Sequence, residues 1–304
     1  MAQEATAHVP ITRPGPSAVL ELLKPITWFA AMWALGCGVV SSGVPLGDRL
    51  WVLFGGILLA GPMVCGTSQA VNDWYDRYVD AINEPDRPIP SGRIPGSWGL
   101  YIAIGWTILS LGVGAALGPV GFGAAIFGLI LAWAYSAPPL RLKQNGWWGA
   151  GACAICYEGL AWFTGAAVML GGVPDWRIIL FALLYSAGAH GIMTLNDFKA
   201  VEGDRQMGIK SLPVQFGVDR AAQIACIVMT IPQLAVVGLL FYWALPLYGA
   251  IVAALVVAQL GLMARLLQAP KDRTPWYNAT GTTLYVLGML ASAFALRSME
   301  LGTL

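Results

Sequence analysis

Residues 50–80 read LWVLFGGILLAGPMVCGTSQAVNDWYDRYVD. The first part of this stretch, residues 50–71, is an apolar run, and about 20 such residues cross the hydrocarbon core of a bilayer as one helix. An asparagine and three aspartates follow directly, within residues 72–80. A spanning helix that ends in an acidic cluster predicts a membrane protein with a polar site at one membrane face.

The rest of the chain repeats the apolar pattern. Of its 304 residues, 57% are hydrophobic and 11% are charged, whereas a soluble domain carries about 25% charged residues. We therefore predict an all-α integral membrane protein with about nine transmembrane helices in a bundle around a central cavity. The predicted spans are 26–44, 50–71, 97–117, 119–136, 147–171, 176–195, 220–240, 245–267 and 276–298.

The basic residues orient these spans. With the N-terminus in the cytoplasm, the opposite face holds only Arg49, Arg177 and Arg297 of the seventeen Lys and Arg residues. This asymmetry follows the positive-inside rule, and it is largely lost if the break between spans at Gly118-Pro119 is removed. We therefore predict that the protein lies in the inner membrane of a bacterium. Its N-terminus and its long acidic loops are predicted to face the cytoplasm.

The domain organisation follows from the same pattern. Residues 1–25 lack the order of a cleaved signal peptide, and we expect a cytoplasmic tail followed by a single transmembrane domain over 26–304. The formal net charge of +1 gives no electrostatic reason to expect nucleic acid as a partner.

The first acidic motif is Asn72 with Asp73, Asp76 and Asp80. On a helix with 3.6 residues per turn, the three aspartates lie within about 60° of one another. Three carboxylates on one stripe repel each other unless a cation compensates them, and oxygen ligands of this kind suit Mg²⁺, which also binds substrate phosphates. A solvated helix end with acids by chance is the alternative.

A second motif begins 124 residues later with Asn196 and Asp197 and ends with Asp204. These residues align with Asn72, Asp73 and Asp80, while Ala200 stands where Asp76 stands. The spacing predicts two related four-helix halves that face each other across a cavity. Two acidic stripes could hold two or more Mg²⁺ around one diphosphate and neutralise the charge of a leaving group, which suits ionisation of an allylic diphosphate.

Basic side chains on the same predicted face could bind the diphosphate, since Arg binds phosphate as a fork and Lys as a point charge. Contact with lipid headgroups is the alternative for each. With Asn72, the predicted diphosphate-binding residues are Arg77, Arg87, Arg141, Lys143, Lys199, Arg205 and Lys210.

These motifs resemble the UbiA superfamily of intramembrane prenyltransferases over nearly the whole chain. The resemblance rests on residues 72–80, on RPIPSGR at 87–93, on Tyr135-Ser136 with Pro138-Pro139, and on residues 202–205. Further segments are similar to the (bacterio)chlorophyll synthase branch, namely 24–29, 65–69, 157–159, 196–204 and 208–213.

The resemblance implies an enzyme that esterifies the propionate of a (bacterio)chlorophyllide with geranylgeranyl or phytyl diphosphate, with Mg²⁺ as cofactor. It implies metal-binding and catalytic roles for Asp73, Asp76, Asp80, Asp197 and Asp204. Many members of the superfamily carry an aspartate at the position of Ala200, so Asp197 and Asp204 would carry the metal binding of the second motif.

Three residues within the spans are candidates for a tetrapyrrole pocket. Glu158 lies near the middle of span five, where an ionisable residue is a functional candidate by default, and Tyr157 precedes it. His190, in span six, could ligate the central magnesium of the tetrapyrrole. The alternatives are a polar tie between helices for Glu158 and a satisfied core histidine for His190.

Other functions fit parts of the sequence. A related prenyltransferase with an aromatic acid or haem acceptor would keep the metal motifs. A transporter would place its charged site near the bilayer midplane, whereas these aspartates lie at one face. A pigment-binding assembly protein would tolerate replacement of the aspartates.

Overall fold

The computed structural model describes residues 13–302, and within them the fold is almost entirely helical. The first twelve residues of the predicted tail lie outside this range. The α-helices are α1 Pro16–Leu22, α2 Trp28–Ser41, α3 Leu50–Leu58, α4 Gly66–Asn83, α5 Trp98–Ala116, α6 Pro119–Ser136, α7 Gly146–Ala154, α8 Ala161–Leu170, α9 Trp176–Asn196, α10 Val201–Gln206, α11 Leu212–Phe216, α12 Val218–Tyr242, α13 Pro246–Leu266 and α14 Pro270–Gly302.

Nine helical segments between residues 13 and 302 are long and apolar enough to cross a membrane, which confirms the predicted number. Two of these segments contain a π-helical stretch. A π-helical segment, Leu59–Cys65, joins α3 to α4, and a second, Ile155–Leu160, joins α7 to α8. Apart from its two ends, a helix pairs its backbone polar groups within itself, which is why apolar segments enter lipid in this form.

The break between the third and fourth spans is present. Gly118 has a positive φ of 93°, and Pro119 follows as the first residue of α6. Glycine adopts this backbone conformation without a steric penalty, and proline suits the first position of a helix because its missing N–H would be unpaired there. The two residues therefore reverse the chain within one connection.

Small residues let the central helices approach closely. A Cβ placed on Gly38 of α2 would lie 2.0 Å from the carbonyl oxygen of Trp162, and one on Gly165 of α8 would lie 2.1 Å from that of Leu35. Without a hydrophobic force between helices in lipid, such backbone approach is a main source of packing energy. Spans one and five are thereby held in direct contact.

Two features differ from a simple loop-and-span description. Span two continues as α4 to Asn83, beyond its predicted end at residue 71, so the first acidic motif lies on one helix as its spacing predicts. The short helix α1, within the predicted tail, buries Ala18 and Leu22 against Ala70, Val71 and neighbouring residues. The predicted relation between two four-helix halves stays a prediction.

Candidate active site

The first acidic motif occupies the last turns of α4, and its carboxylates have different partners. Asp73 is 1% exposed and accepts a hydrogen bond from Lys24 Nζ at 2.7 Å. Arg87 Nη1 lies 3.4 Å from Asp73 and 2.8 Å from Asp80. Two of the three aspartates are thus paired with cations from the 84–97 connection and from the segment before α2.

Asp76 has separate partners. Its carboxylate pairs with Lys143 and lies 3.4 Å from an Arg141 nitrogen, and it accepts a hydrogen bond from Asn72 at 3.0 Å. Each residue of a helix turns the chain by about 100°. Asp76 therefore lies about 40–60° away from Asp80 and Asp73 around α4, and that rotation directs it to a different neighbour.

The second motif extends over two short helical elements. Asp197 begins a single 3₁₀ turn, Asp197–Lys199, directly after α9, and Asp204 lies on α10. Glu202 projects to the surface, where it pairs with Arg205 at 3.2 Å. Gly203 lies within α10 and does not interrupt the helix.

Both motifs line one cavity of about 390 Å³ at the same end of the bundle. From the first half of the chain come Gln69, Asn72, Asp76 and Lys143, and from the second half come Asn196, Asp197, Lys199 and Asp204. Residues separated by more than a hundred positions therefore share one polar cavity. Asp73 and Asp80 are paired beside it, rather than among the residues of its wall.

Burial shifts the pKa of some groups in this cavity, among them Lys143 and Asp204. It lowers the pKa of Lys143, and the charge of Asp76 acts in the opposite direction. It raises the pKa of Asp204, and the charge of Lys143 opposes that shift. Both shifts arise because the charges are partly removed from water, and charges interact more strongly in such a setting.

The predicted basic residues are not all at the cavity. Lys143 and Lys199 line it, and Arg141 reaches Asp76. Arg77 instead stacks on the ring of Trp74, with its guanidinium 4.0 Å from the ring centroid. Arg205 is exposed. Lys210 accepts a backbone hydrogen bond from Gly146 through its carbonyl oxygen and lines a neighbouring cavity.

An apolar chamber adjoins the polar cavity. Tyr135 and Cys153 line both, so the two spaces meet at these side chains. Small residues dominate the chamber wall, including Ala31, Ala60 and Gly128. Its enclosed space is only about 40 Å³, so a long hydrocarbon would displace wall side chains or extend into lipid.

The three tetrapyrrole candidates lie apart. Tyr157 lines the apolar chamber, and Glu158, the next residue, is 3% exposed inside the bundle. His190 lies in a separate groove of about 370 Å³, where its Nε2 bonds the carbonyl oxygen of Trp147 at 3.2 Å. Tyr157 and Glu158 point in different directions because successive helical residues differ by about 100°, and a role for the three residues in binding a tetrapyrrole stays a prediction.

Several cavity residues were given no role from the sequence. Gln69, Tyr135, Cys153, Met193 and Ser211 all contribute to its wall. For Gln69 a signal was available, since it precedes Asn72 by three residues and Asp76 by seven, which is the spacing of one helix face. The other four residues lie on segments far apart in the chain, and the spacing of residues within one helix cannot predict that such segments meet.

The donor atoms around the cavity are compatible with Mg²⁺. Among residues 13–302, no three His, Cys, Asp or Glu side chains are grouped so as to hold a metal ion by themselves. Magnesium is usually held by one or two carboxylates together with substrate phosphates. Asp76, Asp197 and Asp204, with the amides of Asn72 and Asn196, form such an oxygen-rich but incomplete set.

Comparisons with known proteins agree with this architecture. The model of the UbiA prenyltransferase family matches residues 23–295. The bacteriochlorophyll synthase 33 kDa chain of Cereibacter sphaeroides is 59% identical over 291 residues, which cover 96% of each chain. The chloroplastic chlorophyll synthase of Arabidopsis thaliana is 39% identical, over 91% of this chain and 73% of that protein.

Solved structures share the fold. A UbiA homolog from Archaeoglobus fulgidus bound to DMAPP and Mg²⁺ superimposes with a TM-score of 0.71, covering 92% of this chain and 99% of that one. The sequence identity is 22%, so this likeness concerns the arrangement of helices.

Proposed function

The chain belongs to the UbiA prenyltransferase family, and from this premise we propose that it esterifies the propionate carboxylate of a (bacterio)chlorophyllide with an allylic prenyl diphosphate. The observation that carries the donor half of the proposal is the joining of two distant acidic motifs at one cavity beside an apolar chamber. The acceptor half is supported by the names of the bacteriochlorophyll and chlorophyll synthases that the chain matches.

The polar cavity would hold the diphosphate. Lys143 and Lys199 supply positive charge for its oxygens, and Asp76, Asp197 and Asp204 would hold Mg²⁺ with the two asparagines. When bound, Mg²⁺ would neutralise charge on the diphosphate oxygens and so favour departure of the diphosphate from the prenyl group. Asp73 and Asp80 would support this arrangement by fixing Arg87 and Lys24 beside α4.

The apolar chamber would receive the prenyl tail. Each buried CH₂ group contributes about 0.8 kcal/mol in an apolar setting, and small side chains such as Ala60 and Ala132 leave room for a chain. Exclusion of water from this space also protects an allylic cation from hydrolysis.

The reaction exchanges one carbon–oxygen bond for another. The bond between C1 of the prenyl group and the diphosphate oxygen breaks, and its electron pair leaves with the diphosphate. A carboxylate oxygen of the acceptor then forms the new bond to C1. No general base is required, because a propionic acid is already ionised near pH 7.

Asp76→Asn tests the proposal most directly. The purified protein is mixed in detergent with Mg²⁺, geranylgeranyl diphosphate and bacteriochlorophyllide, and the pigments are separated by chromatography. We expect a strongly retained ester from the wild type and about a 100-fold slower reaction from the variant, the scale of losing one preorganised charged group.

Asp48→Asn is the matched control, since Asp48 is an exposed aspartate before α3 at the other end of the bundle. It should leave the rate unchanged, whereas EDTA should abolish it. Unimpaired activity of Asp76→Asn would contradict the assigned site. Transfer to an aromatic acid or haem in place of the chlorophyllide would contradict the assigned acceptor.

A further inference from the structure

A chain of polar side chains crosses the boundary between the polar cavity and the apolar chamber. Gln69 Nε2 donates a hydrogen bond to the Tyr157 hydroxyl at 3.2 Å, and that hydroxyl lies 3.2 Å from Cys65 Sγ. Cys65 in turn lies 3.4 Å from the Thr27 hydroxyl. Buried polar groups need hydrogen-bond partners. The hydrogen bond to Tyr157 therefore fixes the orientation of the Gln69 amide.

Gln69 is the member of this chain that reaches the cavity. It lines the cavity together with Asp76 and Lys143, whereas Tyr157 and Cys65 line the chamber. At 1.5 Å per residue along α4, Gln69 lies about 10 Å deeper than Asp76. With the diphosphate in the cavity and the prenyl tail in the chamber, as proposed above, Gln69 would lie where the head and the tail of the donor join.

The chemistry of an amide suits this depth. A lysine or arginine beside C1 would repel the developing allylic cation, and a carboxylate would repel the incoming acceptor carboxylate. An amide nitrogen carries two N–H groups, of which one is directed to Tyr157. The second can donate to a carboxylate without adding a charge.

We propose that Gln69 binds the propionate carboxylate of the acceptor, with Tyr157 as the positioning residue that holds the amide in place. This inference rests on the proposed function, since it assigns the carboxylate subsite of the same reaction. Gln69 thereby selects acceptors with a free carboxylate and places one oxygen beside C1.

The test compares two acceptor forms that differ in one group. Bacteriochlorophyllide and its propionate methyl ester are titrated by fluorescence against the full-length protein, with Mg²⁺ and a fully saturated C20 diphosphate that cannot ionise. We expect the wild type to prefer the free carboxylate by about 10- to 100-fold, the range of a charge-assisted hydrogen bond. Gln69→Leu should lose that preference while binding the methyl ester as the wild type does.

Tyr157→Phe provides a second variant with little change of volume. It should lose part of the preference for the free carboxylate and raise the KM for the chlorophyllide several-fold, more than it raises the KM for the prenyl diphosphate. If Gln69→Leu still preferred the free carboxylate over the methyl ester, the inference would be overturned. Equal loss of affinity for both acceptor forms would overturn it as well. A wild type that makes no pigment ester would instead overturn the proposed function.

Discussion

At the scale of single residues, the ion pair between Lys24 and Asp73 shows that one aspartate of the acidic motif stabilises the fold. Asp73 is 1% exposed and its Oδ2 has no hydrogen-bond partner among the described residues. Its Oδ1 faces Lys24 Nζ at 2.7 Å. Lys24 adopts a left-handed backbone conformation, with φ at 47°, which is unfavourable for a residue other than glycine and is retained where this contact is made.

Replacement of Lys24 by methionine should destabilise the protein. Asp73 would keep only Arg87 at 3.4 Å, and a hydrogen bond between charged groups contributes about 1.5–3 kcal/mol. We expect a lower melting temperature in detergent with EDTA present. Because a buried charge without its partner is the source of the cost, Lys24→Met/Asp73→Asn should melt above Lys24→Met, and additive losses would contradict the pairing.

At the scale of helices, two π-helical segments form part of the wall of the apolar chamber. Leu59–Cys65 contributes Ala60, Val64 and Cys65 to the chamber wall, and Ile155–Leu160 contributes Cys156 and Tyr157. Segments of this kind occur frequently at functional sites. Here they bring Cys65 and Tyr157 within 3.2 Å of each other, although 92 positions separate the two residues along the chain.

Two glycines of α2 give a matched test of helix packing. A Cβ on Gly38 would lie 2.0 Å from the carbonyl oxygen of Trp162, whereas one on Gly36 would meet nothing within 4 Å. Gly38→Ala should therefore separate α2 from α8 and lower the melting temperature, because backbone atoms cannot move aside cheaply. Gly36→Ala should melt at or above the wild type, since alanine favours helix by about 1 kcal/mol. Equal effects would contradict the close approach.

At the scale of the whole molecule, alternation of the helices brings the 84–97, 137–145 and 197–217 connections to the same end as the cavity. Arg87 of the first connection pairs with Asp80 of α4, and Arg141 and Lys143 of the second pair with Asp76 of the same helix. A backbone hydrogen bond from Lys210 to the carbonyl oxygen of Gln144 joins the third connection to the second. The positive-inside rule supports our proposal that this end faces the cytoplasm.

Cysteine labelling tests that orientation. Ser91→Cys places a thiol in the 84–97 connection, and Val173→Cys places one at a position that is 74% exposed at the other end. The five native cysteines are buried or half-buried. In spheroplasts, a membrane-impermeant maleimide should label position 173 and not position 91, and both should react after permeabilisation. The opposite labelling pattern would reverse the proposed orientation.

The sequence by itself determined the nine spans, the break at Gly118-Pro119 and the positions of both acidic motifs along the chain. Each of these depends on local physics. A segment enters the bilayer when it is long and apolar enough and satisfies its own backbone. Charged residues must then collect where the segments end.

The tertiary structure decided which side chains meet. It divided one acidic stripe between Asp76 at the cavity and Asp73 and Asp80 at their ion pairs, and it separated Tyr157 from His190. It also brought Gln69 of span two into hydrogen-bond contact with Tyr157 of span five. A difference of 40–60° around a helix selects the partner only when neighbouring helices are in place, and their positions depend on packing between segments far apart in the chain.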